Sequence, residues 1–328
     1  CQVRDRQVRR IRYLLIGVGN VGRRFLQLTV DKEATLRERL GLELVLVGVG
    51  DSSGAAISSR GLATQQVIDL KAQGQGVAAY PQGGRQGIPA LGLVQTVEAD
   101  LLLEASPGNL VDGEPGVSCL EAALTRGMHV VTANKAPLVL AFPRLLALAK
   151  ERGVKLRFDA TVAGGLPAIN LGQRDLAAAD VQQLEGILNL TTNYILTRMA
   201  DDGLTYEQAL AHAQAAGHAE TDPTLDVEGW DAANKLVILA HSVLGYPATL
   251  KEVAIEGILD VTPEMLRRAA AEGKRVKLVA TAKRQGECYL LSVAPLWLDS
   301  SHPLAQLGPK QMGIVYHTDI SGTISAAI

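Results

Sequence analysis

The sequence predicts an α/β first half built on a doubly wound parallel sheet and an α+β second half built on a mixed sheet. Three observations point there. An apolar strand near the start runs straight into a glycine-rich turn and a helix; short apolar strands and helices then alternate to about residue 132; beyond residue 250 strands follow one another with little helix between them. At 328 residues and 34.7 kDa the chain can bury a substantial core. Two domains are expected, 1–140 and 141–304, with 305–328 packing back onto the first.

Ile11 to Ile16, IRYLLI, has the uninterrupted apolar character of a central parallel strand, and it enters GVGNVG at Gly17 to Gly22. One helix is expected from Asn20 to Leu40, stopped at Gly41. Strand, glycine turn and helix in this order form a Rossmann-type dinucleotide site: Gly17 permits the tight turn, Gly19 lets backbone approach a pyrophosphate, and Gly22 lets helix and strand pack closely. Asn20 and Val21 then lie at the helix N-terminus, which faces the phosphates. The next strand, Leu42 to Val49, ends at Gly50-Asp51, where an acid can bond the adenosine ribose or simply cap a turn. Arg23, Arg24 and Arg60 could instead neutralise a 2′-phosphate, so both NAD and NADP fit. Residues 74–90, rich in Gly, Gln and Pro, read as a surface excursion. A strand at 100–104, a helix at 116–126 and a strand at 128–132 continue the βα alternation. Glu104-Ala-Ser106 and Thr132-Ala-Asn-Lys135 fall where such sheets hold ligands, outside the carboxyl ends of strands.

After a helix at 141–152, the strand VKLRFDATV leads into AGGLPAIN, whose small residues free the backbone to turn carbonyls toward a cation or to make a tight turn without one. A strand around Val181 to Leu188 precedes NLTTNYILTRM; the polar groups from Asn189 to Asn193 could hold a substrate carboxylate or cap the helix that starts there. Strands are expected near 251–258, 275–283 and 288–296, with GIVYHTDISGTI as a last hairpin. The densest chemistry lies in residues 213–235, AQAAGHAETDPTLDVEGWDAANK. A helix ends at Gly217, Pro223 opens a turn, and Asp226 is positioned to cap a helix running to about Leu244. Asp231 and Lys235 share one face of that helix. LVILA beside Lys235 is apolar on nearly every side, so its ammonium is expected at a partly buried cleft with carboxylates near it. An exposed i,i+4 salt bridge is the plainer alternative.

Ala213, Gly217, Glu220, Asp222-Pro223, Asp226, Gly229, Asp231 and Lys235 resemble, at matching spacing, the signature of homoserine dehydrogenases. HVVTANKAPL, AGGLPAIN and NLTTNYIL also resemble segments of that family, in the same order, over roughly residues 11–320. The resemblance implies NAD(P)H-dependent, reversible reduction of L-aspartate 4-semialdehyde to L-homoserine, a step toward threonine and methionine. It implies Lys235 and Lys135 as catalytic residues; Glu220, Asp226 and Asp231 as substrate-binding; and Ser106 and Lys135 as cofactor-binding, beside Gly17, Gly19, Asn20, Val21, Gly22 and Asp51, which the glycine turn and the end of the second strand already indicate. It also implies a monovalent cation, usually sodium, at Asp159, Val162, Gly164 and Leu166, and a homodimer formed through the second sheet. Three positions depart from the family pattern: His218 for an aromatic or aliphatic residue, Leu190 for glycine, and Asp159 for glutamate. A short form without a regulatory domain is expected.

Composition narrows the alternatives. A formal charge of −2, with acids and bases nearly balanced, argues against a nucleic-acid or acidic-membrane binder. Cys1, Cys119 and Cys288 have no paired spacing, so neither a disulfide framework nor a zinc site is indicated, and reducing cytoplasm is the expected compartment. No apolar run approaches the roughly 20 residues that span a bilayer, and the charged opening has no signal-peptide core. A phosphorylating semialdehyde dehydrogenase would need an activated cysteine, which none of the three resembles. A non-catalytic NAD(P) sensor on the same fold would have no use for both lysines and the acidic cluster.

Overall fold

The computed structural model describes residues 8–328, so Cys1 lies outside the described residues. The chain forms two compact units, the first ending at Phe158 and the second running from Asp159 to Ile328. The strands, in chain order, are β1 (Arg9–Ile16), β2 (Leu42–Asp51), β3 (Gly54–Ile57), β4 (Gly84–Gln86), β5 (Leu101–Glu104), β6 (His129–Thr132), β7 (Leu156–Arg157), β8 (Val181–Ile187), β9 (Val253–Ile255), β10 (Lys274–Gln285), β11 (Cys288–Asp299), β12 (Gly313–Thr318) and β13 (Thr323–Ala327).

The first unit is a seven-stranded sheet in the order β4-β3-β2-β1-β5-β6-β7. β1 pairs in parallel with both β2 and β5, so the order reverses beside it, and the crevice outside its carboxyl end is where such sheets hold ligands. The apolar run of β1 is central because Tyr13, Leu14, Leu15 and Ile16 are all buried. Three local expectations change. The helix expected over Asn20 to Leu40 is two, Asn20–Asp31 and Glu33–Leu40, parted at Lys32 (φ −111°, ψ 13°). The second piece buries no side chain, so the core does not hold it in line with the first. Residues 74–90 contain β4, which pairs antiparallel with β3 and completes one edge of the sheet. The strand expected over 154–162 shrinks to β7, after which the chain turns through Asp159–Thr161.

The boundary falls at 158/159 rather than 140/141. The helix Ala136–Glu151 packs on the helix Gly116–Thr125, and β7 extends β6 in parallel, so both belong to the first sheet's layer. The second unit is a six-stranded mixed sheet, β13-β12-β8-β10-β11-β9. Contrary to expectation, 305–328 belongs here: β12 pairs with β8, and the buried Tyr316 hydroxyl donates to the Ala168 carbonyl at 2.8 Å. The helices Leu190–Asp202 and Trp230–Ser242 pack on β10. A cluster of Ile187, Val279, Leu298, Leu304, Leu307 and Val315 forms a further part of the core.

One buried charge in this unit predicts a pH dependence. Lys277, on β10, is 2% exposed and its ammonium donates to Asn193 Oδ1 (2.8 Å), Thr197 Oγ1 (2.8 Å) and the Leu307 carbonyl (2.9 Å). Burial, followed by the nearby positive charge of Arg275, pulls its pKa from 10.5 down to about 8, against a weaker opposing pull from Asp201. Above the folded value and below the unfolded one, the unfolded chain binds more protons, so this group's contribution to stability rises with pH from about 8 to 10.5. Denaturant unfolding of the wild type and of Lys277→Met should diverge in that window, the wild type gaining up to about 1.4 kcal/mol per pH unit relative to the variant. A constant difference across the window would show that the amine titrates normally.

Candidate active site

In the first unit the glycine turn separates positions the fold needs from one it does not. Gly17 has φ +89°, and a Cβ there would lie 2.3 Å from the Ala105 carbonyl oxygen. A Cβ on Gly22 would lie 2.1 Å from the Gly17 carbonyl oxygen. Both must be glycine for the turn to close against the β5 loop. Gly19 has an ordinary φ of −78°, and a Cβ there would meet nothing within 4 Å. Open space at that glycine, at the N-terminus of a 12-residue helix, fits the close approach of a pyrophosphate. Val21 is exposed, and the Asn20 side chain accepts from Arg23 Nη2 at 2.8 Å.

Asp51 closes β2, with its side chain 9% exposed. Oδ1 accepts from Ser53 N (2.9 Å) and Ser53 Oγ (2.6 Å); Oδ2 accepts from Lys71 Nζ (2.7 Å) and Val77 N (3.2 Å). The turn-capping reading is thus what its geometry displays. Its pKa lies below the ordinary value because these donors, Lys71 first, outweigh the opposing effect of burial. At the ends of β5 and β6, Ser106 donates to Glu104, and Lys135 is the residue from which the helix Ala136–Glu151 starts.

The second unit assembles the other candidates. Lys235 Nζ donates to the Leu188 carbonyl at 2.6 Å and to Asp231 Oδ2 at 2.7 Å, with the two side chains 13% and 11% exposed. The ion pair is a partly buried one, as the apolar run beside it requires: Leu236 to Ala240 are all buried. Asn189, which the sequence offered either as a holder of a substrate carboxylate or as a helix cap, links the group. Its Nδ2 donates to Asp226 Oδ1 (2.7 Å) and Asp231 Oδ2 (2.8 Å), while its Oδ1 accepts Thr192 N (2.9 Å) and caps the helix Leu190–Asp202. Thr191 Oγ1 lies 2.7 Å from Asp226 Oδ2 and 2.8 Å from the His218 carbonyl. The signal was NLTTN itself, for which capping and ligand binding looked like rival roles; one amide side chain does the capping and also joins two carboxylates.

Asp226 therefore does not cap the long helix. It sits in the short helix Thr224–Val227, and the cap position belongs to Gly229, whose φ of +89° suits glycine and whose Cβ would crowd Ile255 at 3.1 Å. Glu220 is exposed and outside the hydrogen-bonded group; its carbonyl accepts from Gln214. Of the two departures nearby, the His218 ring packs against Tyr194 with centroids 5.0 Å apart but its Nε2 is buried without a hydrogen-bond partner among the described residues, and Leu190 begins a helix, where no positive φ demands glycine.

In the 159–166 loop, Asp159 Oδ1 accepts Asn170 N at 3.0 Å, and the Leu166 carbonyl accepts Ala168 N at 2.7 Å. Ala163 and Gly164 both have positive φ (55° and 60°). No described backbone group donates to the carbonyls of Val162 and Gly164, and carbonyl and carboxylate oxygens are the donors that a hard cation takes. A thiol-based mechanism finds no support among the described cysteines. Cys119 is buried, which pushes its thiol up to about 12, assisted by the charges of Glu104 and Glu114, and Cys288 is exposed on β11.

Residues 17–159 match the family model described as the homoserine dehydrogenase NAD-binding domain, and residues 167–327 match the one described as homoserine dehydrogenase. The chain belongs to the homoserine dehydrogenase family. It is 38% identical to homoserine dehydrogenase of Methanocaldococcus jannaschii over 94% of this chain and 90% of that protein. An NAD(+)-dependent homoserine dehydrogenase of Pseudomonas canavaninivorans is 35% identical, covering 95% of this chain and 89% of its own. The crystal structure of a putative homoserine dehydrogenase from Archaeoglobus fulgidus superposes with a TM-score of 0.86 at 35% identity, covering 97% and 92% of the two chains. As a homoserine dehydrogenase the chain is an NAD(P)-dependent oxidoreductase acting on a CH–OH group. No helix among the described residues is long and apolar enough to cross a membrane.

Proposed function

We propose that Lys235 is the proton donor and acceptor of the reversible reduction of L-aspartate 4-semialdehyde to L-homoserine. One observation carries this reading: among the described residues, two of the three ammonium hydrogens are engaged, by Leu188 O and Asp231 Oδ2. The third remains for an alkoxide or a bridging water. A reduced nicotinamide held at the glycine turn would supply the hydride for the aldehyde carbon. As the carbonyl bond opens, the oxygen gains an electron pair and takes a proton from Lys235, directly or through one water; the amine is restored from solvent, and the reverse reaction runs the same transfers backward. Asp231 and Leu188 fix the direction of the amine, so little reorganisation is left for the moment of transfer.

Asp226 bonds the reacting end of the substrate or its water, Glu220 accepts the substrate ammonium, and Lys135 serves the nicotinamide and the developing oxyanion. Gly17, Gly19, Asn20, Val21, Gly22, Asp51 and Ser106 form the dinucleotide site. Asp159, Val162, Gly164 and Leu166 hold a monovalent cation that steadies the loop. The second sheet carries a homodimer contact, and the enzyme works in the cytoplasm; the resemblance of the motifs, the balanced charge and the unpaired cysteines support these assignments. The test is spectrophotometric: NADH and NADPH oxidation by aspartate semialdehyde, each with sodium, with potassium and with neither. Turnover with at least one cofactor and a rate that rises with the cation are the expected results. A rate indifferent to the cation would refute the ion site, and no turnover with either cofactor would refute the catalytic assignment.

A further inference from the structure

Glu104 is a buried carboxylate that the chemistry above does not use. It ends β5, in register with Ile16 of β1 on one side and Thr132 of β6 on the other, and is 1% exposed. All its described donors are neutral. Oε1 accepts from Ser106 N (2.9 Å), from Ser106 Oγ through a short bond, and from Asn134 Nδ2 (3.4 Å); Oε2 accepts from Thr132 Oγ1 (2.7 Å). Thr132 Oγ1 in turn accepts Asn134 N (3.0 Å), and Asn134 Oδ1 accepts Ala136 N (3.0 Å). Burying a carboxylate is costly unless donors surround it, and a neutral residue could close a sheet end. The acid here fixes two strand-end loops at once, those carrying Ser106 and Lys135.

The polarity of this network has a chemical consequence. A hydroxyl has one hydrogen and two lone pairs. The Ser106 hydrogen is committed to Glu104, and one lone pair faces Asn134 Nδ2 at 3.4 Å. What Ser106 Oγ still offers is a single acceptor lone pair. Ser106 is half-buried at the carboxyl end of the sheet, and its backbone nitrogen would lie only 2.6 Å from a Cβ on Gly17. The nicotinamide carboxamide is a donor through its amino group. We propose that Glu104 is a positioning residue that holds Ser106 as an obligate acceptor, so that the enzyme recognises the amino group of the nicotinamide carboxamide. The inference rests on the assignment of Ser106 to the cofactor site and is independent of any role of Lys235.

The test compares three ligands by equilibrium binding without substrate: NAD(P)+, its 3-acetylpyridine analogue, in which a methyl ketone replaces the carboxamide, and ADP-ribose, which lacks the ring. Wild type should prefer the carboxamide over the acetyl form by about 10-fold, the scale of one lost hydrogen bond. Glu104→Met removes the acceptor at similar volume and lets the serine hydrogen rotate outward, so the preference should fall to near one while ADP-ribose binding stays unchanged. Glu104→Gln should retain it, because the fixed N–H groups of Ser106 and Asn134 demand the amide oxygen while the Thr132 hydroxyl can turn to accept. If Glu104→Met does not fold, Ser106→Ala decides, with the same expected loss of preference. An unchanged preference in the folded variant, no preference in wild type, or a parallel loss of ADP-ribose binding overturns the proposal. The same binding preference is expected in Lys235→Ala, so failure of the proton-transfer role would leave this readout intact.

Discussion

Lys235→Ala should lower kcat by about 10²–10⁴-fold, the usual worth of a positioned acid or base, while leaving the dissociation constants of NADH and NADPH within about twofold of wild type. The two observables move apart because the amine's described partners, Leu188 and Asp231, belong to the second unit, whereas the glycine turn lies in the first. Truncation also leaves the Leu188 carbonyl without its described donor and removes one donor from Asp231, which keeps Asn189 Nδ2, so a loss of about 1–3 kcal/mol and a lower melting temperature are expected too. Lys235→Arg separates the effects. It keeps a cation beside Asp231 and should recover most of the stability, but its planar fork cannot reproduce the point donor, so kcat should stay low. Near-normal kcat in the alanine variant would mean that another group moves the proton.

The glycines of the turn should divide sharply. Gly17→Ala forces a Cβ to within 2.3 Å of Ala105 O and leaves alanine at φ +89°, a combination expected to cost at least about 2–3 kcal/mol and to abolish dinucleotide binding with it. Gly19→Ala meets open space at φ −78° and should melt like wild type. Its added methyl would nevertheless occupy the proposed pyrophosphate site, so the affinity for NAD(P)H should fall by about tenfold or more. Calorimetry paired with binding titrations reads both quantities. If Gly19→Ala bound normally, the pyrophosphate would not lie against that residue.

The strand-turn-helix opening was legible because each of its requirements is local: an apolar run of buried strand, glycines at fixed spacing, and a helix beginning at once. Asp231 and Lys235 were legible for a similar reason, since four residues along a helix put two side chains on one face. The division of the helix at Lys32 and the late domain boundary were not, because both depend on which neighbouring layer buries a segment. β4 was hidden in a stretch rich in glycine, glutamine and proline, whose pairing with β3 is decided by the partner strand rather than by its own composition.

Asn189 shows the limit most clearly. Read along the chain it is a helix cap, and its distances in sequence to Asp226 and Asp231, 37 and 42 residues, carry no periodicity to detect. Asp226, read the same way, is also a cap, and in three dimensions it is not one. The sequence by itself determined the glycine turn and the paired lysine and aspartate, which follow from short-range spacing, and the resemblance of its motifs implied the reaction class. Tertiary structure alone decided which polar groups satisfy one another across the second unit and that Glu104 disappears beneath two loops. A buried donor or acceptor must find a partner, and the fold sets which one lies within 3 Å.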